Sequence, residues 1–120
     1  MREYRLTDTE SKFADIIWAN EPLPSRELVK ICAMELSWKK STTYTMLKRL
    51  EHKEIFKNKE GMVSACIKKD AFYAERSKLF VEDTFEGSLP KFLASFTRSK
   101  KLSHQEIDAL QRLIDEHKEG

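Results

Sequence analysis

Cysteine, glycine and proline are scarce in this chain: two, three and three among 120 residues. Two cysteines, Cys32 and Cys66, cannot make a disulfide framework, and no second Cys or His stands at zinc-finger spacing from either. Each lies among apolar neighbours (Ile31 and Ala33; Ala65 and Ile67), which reads as a buried free thiol. So little glycine and proline leaves few places to turn and favours long helices. No apolar run approaches the ~18 residues of a membrane span. The start, Met1-Arg2-Glu3-Tyr4-Arg5, has no apolar signal core, so a cytoplasmic chain without membrane insertion is expected. The ingredients of catalysis are missing too. His52, His104 and His117 lie far apart, outside any H-x-x-x-H or H-E-x-x-H spacing, and there is no Gly-rich phosphate loop and no nucleophile elbow. No catalytic residue, metal ligand or cofactor is expected.

What is present is the composition of a globular domain with a small appendage: 40% hydrophobic and 35% charged. Thr7-Asp8-Thr9-Glu10 is a capping box, and Phe13, Ile16 and Ile17 follow on one helical face to about Asn20. Glu21-Pro22-Leu23-Pro24 breaks that helix. Ser25 is read as the cap of a second helix with an apolar stripe of Leu28, Ile31, Cys32 and Leu36. A third helix is expected from Ser41 or Thr42 to about Lys53. Two β-leaning runs then flank Lys59-Glu60-Gly61, which reads as a hairpin with its tip at Lys57–Gly61. Three helices and a hairpin in this order are those of a winged helix-turn-helix, here over residues 1–70.

The third helix is two-faced. Thr43, Met46, Leu47 and Leu50 share one side, while Ser41, Thr45, Lys48 and His52 share the other, flanked by Tyr44, Thr42 and Arg49. From Ser37 to Leu50 there is no acid, whereas a merely solvated face mixes Glu with its Lys. The overall charge of +2 argues weakly for an anionic partner, but its placement argues strongly. Residues 1–70 carry +3, residues 71–120 carry −1, and the window Lys39–Lys59 alone carries +5. Duplex DNA fits this pattern. Lys39, Lys40 and the helix-start amides suit phosphates, and Ser41, Thr42, Thr45 and Lys48, beside Arg49, suit base edges in the major groove. Tyr44 can offer its hydroxyl to a phosphate or its ring to a thymine methyl, and Lys57 and Lys59 suit the backbone or minor groove. The competing reading is a winged-helix protein-interaction module using the same basic face.

From residue 71 the character changes. Five of the seven phenylalanines (Phe72, Phe80, Phe85, Phe92, Phe96) fall there, on helical patterns at about 71–86, 88–97 and 103–118. Ser103-His104-Gln105-Glu106 is a second capping box, followed by Ile107, Leu110, Leu113 and Ile114. So short a helical piece rarely stabilises itself, and exposed Phe invites aggregation. Packing against a second copy, through Leu89 and Leu93 as well as the residues just named, resolves both problems, so a homodimer is expected. The fold class is mainly α with a small β-hairpin, a winged helix-turn-helix followed by a helical dimerisation domain over residues 71–120. The alternative is that these helices fold back onto the N-terminal domain.

Several stretches resemble the penicillinase-repressor (BlaI/MecI/CopY) family of bacterial winged-helix regulators. Leu6–Glu10 through Ile17-Trp18 is similar to that family's opening helix, and Trp38, Thr42 and Leu47–Leu50 to its recognition helix. Phe85–Leu89 and Phe92–Phe96 resemble its dimerisation region, and Leu102-Ser103 with Glu106-Ile107 and Leu110 its closing helix. The resemblance implies a homodimeric repressor of resistance genes on a pseudo-palindromic operator. In the β-lactam branch it implies a membrane-bound sensor metalloprotease as a further partner and cleavage at an Asn-Phe bond, which falls here at Ser95-Phe96: the Phe matches and the Asn does not. The copper branch carries a cysteine-rich C-terminal motif that has no counterpart after Cys66. Lys53-Glu54 stands where the family has Lys-Gly, from which a backbone outside the left-handed region is expected at Glu54.

Overall fold

A computed structural model describes residues 1–120 as six helices and a three-stranded sheet. The elements are α1 (Asp8–Asn20), β1 (Leu23–Pro24), α2 (Ser25–Leu36), α3 (Lys40–His52), β2 (Phe56–Lys59), β3 (Met62–Ala65), α4 (Lys69–Phe85), α5 (Leu89–Ser99) and α6 (His104–Glu119). No helix is long and apolar enough to cross a membrane. The chain divides into two compact units, Met1–Lys78 and Leu79–Gly120, with the division inside α4.

The first unit is a winged helix. The expected capping box starts α1: the Thr7 hydroxyl accepts from the Glu10 amide at 3.1 Å, and Glu10 Oε1 accepts from the Thr7 amide at 2.9 Å. Phe13, Ile17, Leu28, Leu47, Leu50, Ile55, Phe56 and Val63 form a closed apolar core between the helices and the sheet. The hairpin is tight. Glu60 and Gly61 form a two-residue loop with φ of 52° and 83°, the twist that matches two antiparallel strands. Strand β1 was not expected from the sequence. Two residues long, it pairs with β3 (Leu23 opposite Val63), so the sheet order is β1-β3-β2.

Four expectations are corrected. Ser25 does not cap α2, whose N-cap is Pro24; the Ser25 amide donates instead to Gly61 O at 2.7 Å. Cys66 is exposed, because it follows β3 at the sheet's end, while Cys32 is buried. Burial pushes the Cys32 thiol up, aided by nearby Glu35 and opposed by its contact with Thr43. Glu54 does take a left-handed backbone, with φ of 62°. There the Ile55 amide reaches Leu50 O at 3.1 Å and the Glu54 amide reaches Glu51 O at 2.9 Å, closing the last turn of α3. Burial of Ile55 and Leu50 and these two bonds outweigh the cost of a side chain at that φ. Finally, Phe72 is no interface residue. It is fully buried in the first unit, with ring centroids 5.3 Å from Tyr4 and 5.4 Å from Trp18. The start of α4 thus belongs to the winged helix.

The second unit is built differently. Phe80, Phe85 and Phe92 meet edge to face with centroids 5.6–6.2 Å apart. Helices α5 and α6 nevertheless bury no residue completely, and Phe80, Leu89, Phe96, Ile107, Leu113 and Ile114 are exposed. An open apolar groove of about 390 Å³ runs between α5 and α6, lined by Phe92, Leu93, Phe96, Leu102, Leu110 and Leu113.

The first unit buries one carboxylate in an ion pair. Glu10, 1% exposed, meets Lys53 Nζ at 3.0 Å, and Lys53 also donates to Arg5 O at 2.7 Å. Burial pushes the Glu10 carboxyl up, but the Thr7 amide and the Lys53 ammonium together hold it below its ordinary value of 4.5. A carboxylate depressed in the folded state contributes stability that is complete above the unfolded value and is lost as pH falls through the folded one. Lys53→Met should cost about 3 kcal/mol at neutral pH, since it strands a buried charge. In urea titrations that cost should shrink as pH falls, because burial without Lys53 raises the Glu10 carboxyl and the variant takes up a proton at higher pH than the paired wild type. A cost independent of pH would contradict the pairing.

Candidate nucleic-acid interface

The burial of α3 divides as its sequence predicts: Thr43, Met46, Leu47 and Leu50 are buried, and Ser41, Thr42, Thr45, Lys48, Arg49 and His52 are exposed. The helix begins at Lys40, one turn-fraction before the expected Ser41, with Lys39 as N-cap. No side chain caps it and no acid lies in its first turn, so the opening amides are left to an outside acceptor. Thr43 is the first residue whose amide is used within the helix, donating to Lys39 O at 3.1 Å. Amides without partners, the positive end of the helix dipole and two lysines together make this end receptive to an anion.

The chain's seven ion pairs leave Lys39, Lys40, Lys48, Arg49, Lys57 and Lys59 unpaired. Lys53 differs. Counted by sequence among the window's cations, it is committed to Glu10 and adds little to the outer field. Lys57 and Lys59 are exposed on β2, so the surface cations lie on two adjoining elements, α3 and the hairpin.

Hydrogen bonds fix how those elements meet. Tyr44 is half-buried, and its hydroxyl lies 3.0 Å from Ser25 Oγ, so it is shared within the protein rather than free for a phosphate. Ser25 also takes Gly61 O on its amide, and so joins the start of α2, the middle of α3 and the hairpin turn. On the far side of the hairpin, Glu21 Oε1 accepts from the Ala65 amide at 2.8 Å. The Trp18 indole donates to Ile67 O at 3.0 Å and stacks near Phe56 at 5.2 Å.

Sequence reasoning missed one feature. Between α3 and β2 lies a cleft of about 370 Å³ lined by Tyr44, Thr45, Leu47, Lys48, Glu51 and Asn58. Glu51 Oε2 accepts from the Asn58 amide at 3.4 Å, and Asn58 Oδ1 is buried without a hydrogen-bond partner. Glu51 was legible only as the first acid after a long acid-free run; its meeting with Asn58 depends on the hairpin folding back on α3.

The surface can hold a polyanion along α3 and the hairpin, with hydroxyls positioned among the cations. The family model described as penicillinase repressor matches residues 6–116. The chain belongs to that family. Among its relatives, the penicillinase repressor of Bacillus licheniformis is 27% identical over 95% of this chain and 92% of its own length. The methicillin resistance regulatory protein MecI of Staphylococcus aureus is 20% identical over 95% of this chain and 96% of its own, and a penicillinase repressor of the same species is 22% identical over 96% and 94%. The resemblance read from Leu6–Trp18, the α3 signature and the two C-terminal stretches lies within the matched region. This is a family of transcriptional repressors.

If the Ser25–Tyr44 bond sets the approach of α2 to α3, Tyr44→Phe and Ser25→Ala should each cost about 1 kcal/mol. Combined, they should cost little more than either alone, because the same bond is lost. Denaturant midpoints of the four proteins check this; full additivity would mean that the two hydroxyls act independently.

Proposed function

We propose that this chain is a cytoplasmic homodimeric repressor that places α3 of each protomer in the major groove of one half of a pseudo-palindromic operator. The observation that carries the reading is the outer face of α3, where unpaired cations stand among exposed hydroxyls beside a hairpin bearing two more lysines. Lys39, Lys40 and the opening amides take phosphates, and Ser41, Thr42, Thr45 and Lys48, with Arg49 at the edge, meet base edges. The ring of Tyr44 suits a thymine methyl, and Lys57 and Lys59 take the neighbouring backbone. No dense set of base-reading Arg, Asn or Gln is present on α3, so each protomer binds modestly and the dimer supplies the rest through effective concentration.

The second unit supports the dimer. Its aromatic cluster leaves Phe80, Leu89, Phe96, Ile107, Leu113 and Ile114 exposed and a groove open between α5 and α6, with Phe85, Phe92, Leu93 and Leu110 next to them. So short a unit without a closed core gains stability by burying that surface on a second copy. Relief of repression then follows from separating the protomers. Ser95-Phe96 lies exposed on α5, a helix with no fully buried residue, and local opening there would give a sensor metalloprotease an extended strand to cut.

Binding to an operator duplex should weaken steeply with salt, by about a thousandfold between roughly 50 and 200 mM for a dimer contacting six or more phosphates. Lys48→Ala and Thr45→Ala should erode sequence discrimination, whereas Lys59→Ala should weaken all DNA alike and flatten the salt slope by about one unit per protomer. Flat salt dependence, or capture of an acidic protein with no sequence preference, would favour the protein-interaction module instead. Phe92→Asp should yield monomers in light scattering; an unchanged dimer would put the interface elsewhere.

A further inference from the structure

Glu51 is the only acid on α3, and it is held where it is electrostatically costly. The chain gives it no cation: neither Lys48, three residues earlier, nor any other side chain forms an ion pair with it. It is half-buried, and its Oε2 takes the Asn58 amide at 3.4 Å. The carboxylate is therefore fixed in the cleft between recognition helix and hairpin, beside Thr45 and Lys48. Asn58 adds a carboxamide oxygen with no partner of its own. This corner of a donor-rich surface thus presents a carboxylate, with the Asn58 carboxamide oxygen buried beside it.

Against a polyphosphate, a fixed carboxylate repels every sequence equally. It is compensated only where a hydrogen-bond donor reaches it from the nucleic acid, and in the major groove the exocyclic amino group of cytosine is such a donor for Glu. A group that penalises all partners and is relieved by one creates specificity by difference, without raising affinity. We propose that Glu51, oriented by the Asn58 amide, is a specificity-determining residue that selects a cytosine at one position of each half-site and lowers affinity for all other duplexes. The inference rests on the DNA-binding reading above and assigns one position of the sequence it reads.

The test is selection of the full-length chain on a library of random duplexes, with sequencing, for wild type, Glu51→Ala and Glu51→Gln. Wild type should enrich a two-fold motif with a cytosine at a fixed place in each half. Glu51→Ala should lose about tenfold discrimination at that place alone and bind unselected duplexes several-fold more tightly. Glu51→Gln keeps an acceptor for the Asn58 amide, which guards against misfolding. As Gln both donates and accepts, it should move the preference at that place toward adenine. If both variants keep the wild-type motif at every position, the assignment of Glu51 fails while the DNA-binding reading stands. If wild type enriches no motif, that reading fails and this inference with it.

Discussion

The buried pair of Glu10 and Lys53 joins two ends that the rest of the first unit is arranged around. Glu10 closes the first turn of α1, and Lys53 stands just past the last turn of α3. Their contact at 3.0 Å ties the entry of one helix to the exit of the other. The neighbouring chain adds to the tie: the Glu3 amide donates to Lys53 O at 3.1 Å, and Arg2 Nε donates to Glu54 O at 2.8 Å. Carbonyls that a helix end leaves open are thereby satisfied by the segment before α1. This end of α3 is therefore anchored from within, without using its exposed outer face.

The other half of the arrangement is the hairpin. A two-stranded hairpin alone is marginal in water, but here β3 is shared with β1 and its turn is bonded to Ser25. Glu21 holds the Ala65 amide, and Trp18 fills the space behind Phe56. Lys57 and Lys59 are thus carried on a braced element beside α3 rather than on a loose tip. The two acidic side chains that touch this region have distinct positions. Glu21 braces the far side of the sheet, whereas Glu51 faces the cleft next to the cations.

Much of this was legible in the chain itself because local chemistry and periodicity agreed with the fold. Thr7–Glu10 and Ser103–Glu106 are capping boxes in sequence and in structure, and the two faces of α3 follow from its spacing. What escaped depended on contacts distant in sequence. Phe72 looked like one of five C-terminal phenylalanines, yet a meeting with Tyr4 and Trp18 takes it into the first unit. Ser25 has a capping residue's chemistry, but Tyr44 and Gly61 claim it. Lys53 counted as surface charge until Glu10 paired with it, and Glu54 adopts a glycine-like backbone because burial of Ile55 closes the helix. At the cleft, Glu51 and Asn58 are seven residues apart, and only the turn between helix and strand brings them together.

The central claim is that α3 and the hairpin form one DNA-binding surface. It is tested most directly by amide chemical-shift mapping of the isotope-labelled full-length chain titrated with an operator duplex found by selection. The largest shifts should fall on the Lys39–Lys48 stretch and on Lys57–Lys59, with the core residues Phe13, Leu28 and Val63 little changed. Shifts confined to the second unit, or none in α3 at saturating DNA, would contradict it.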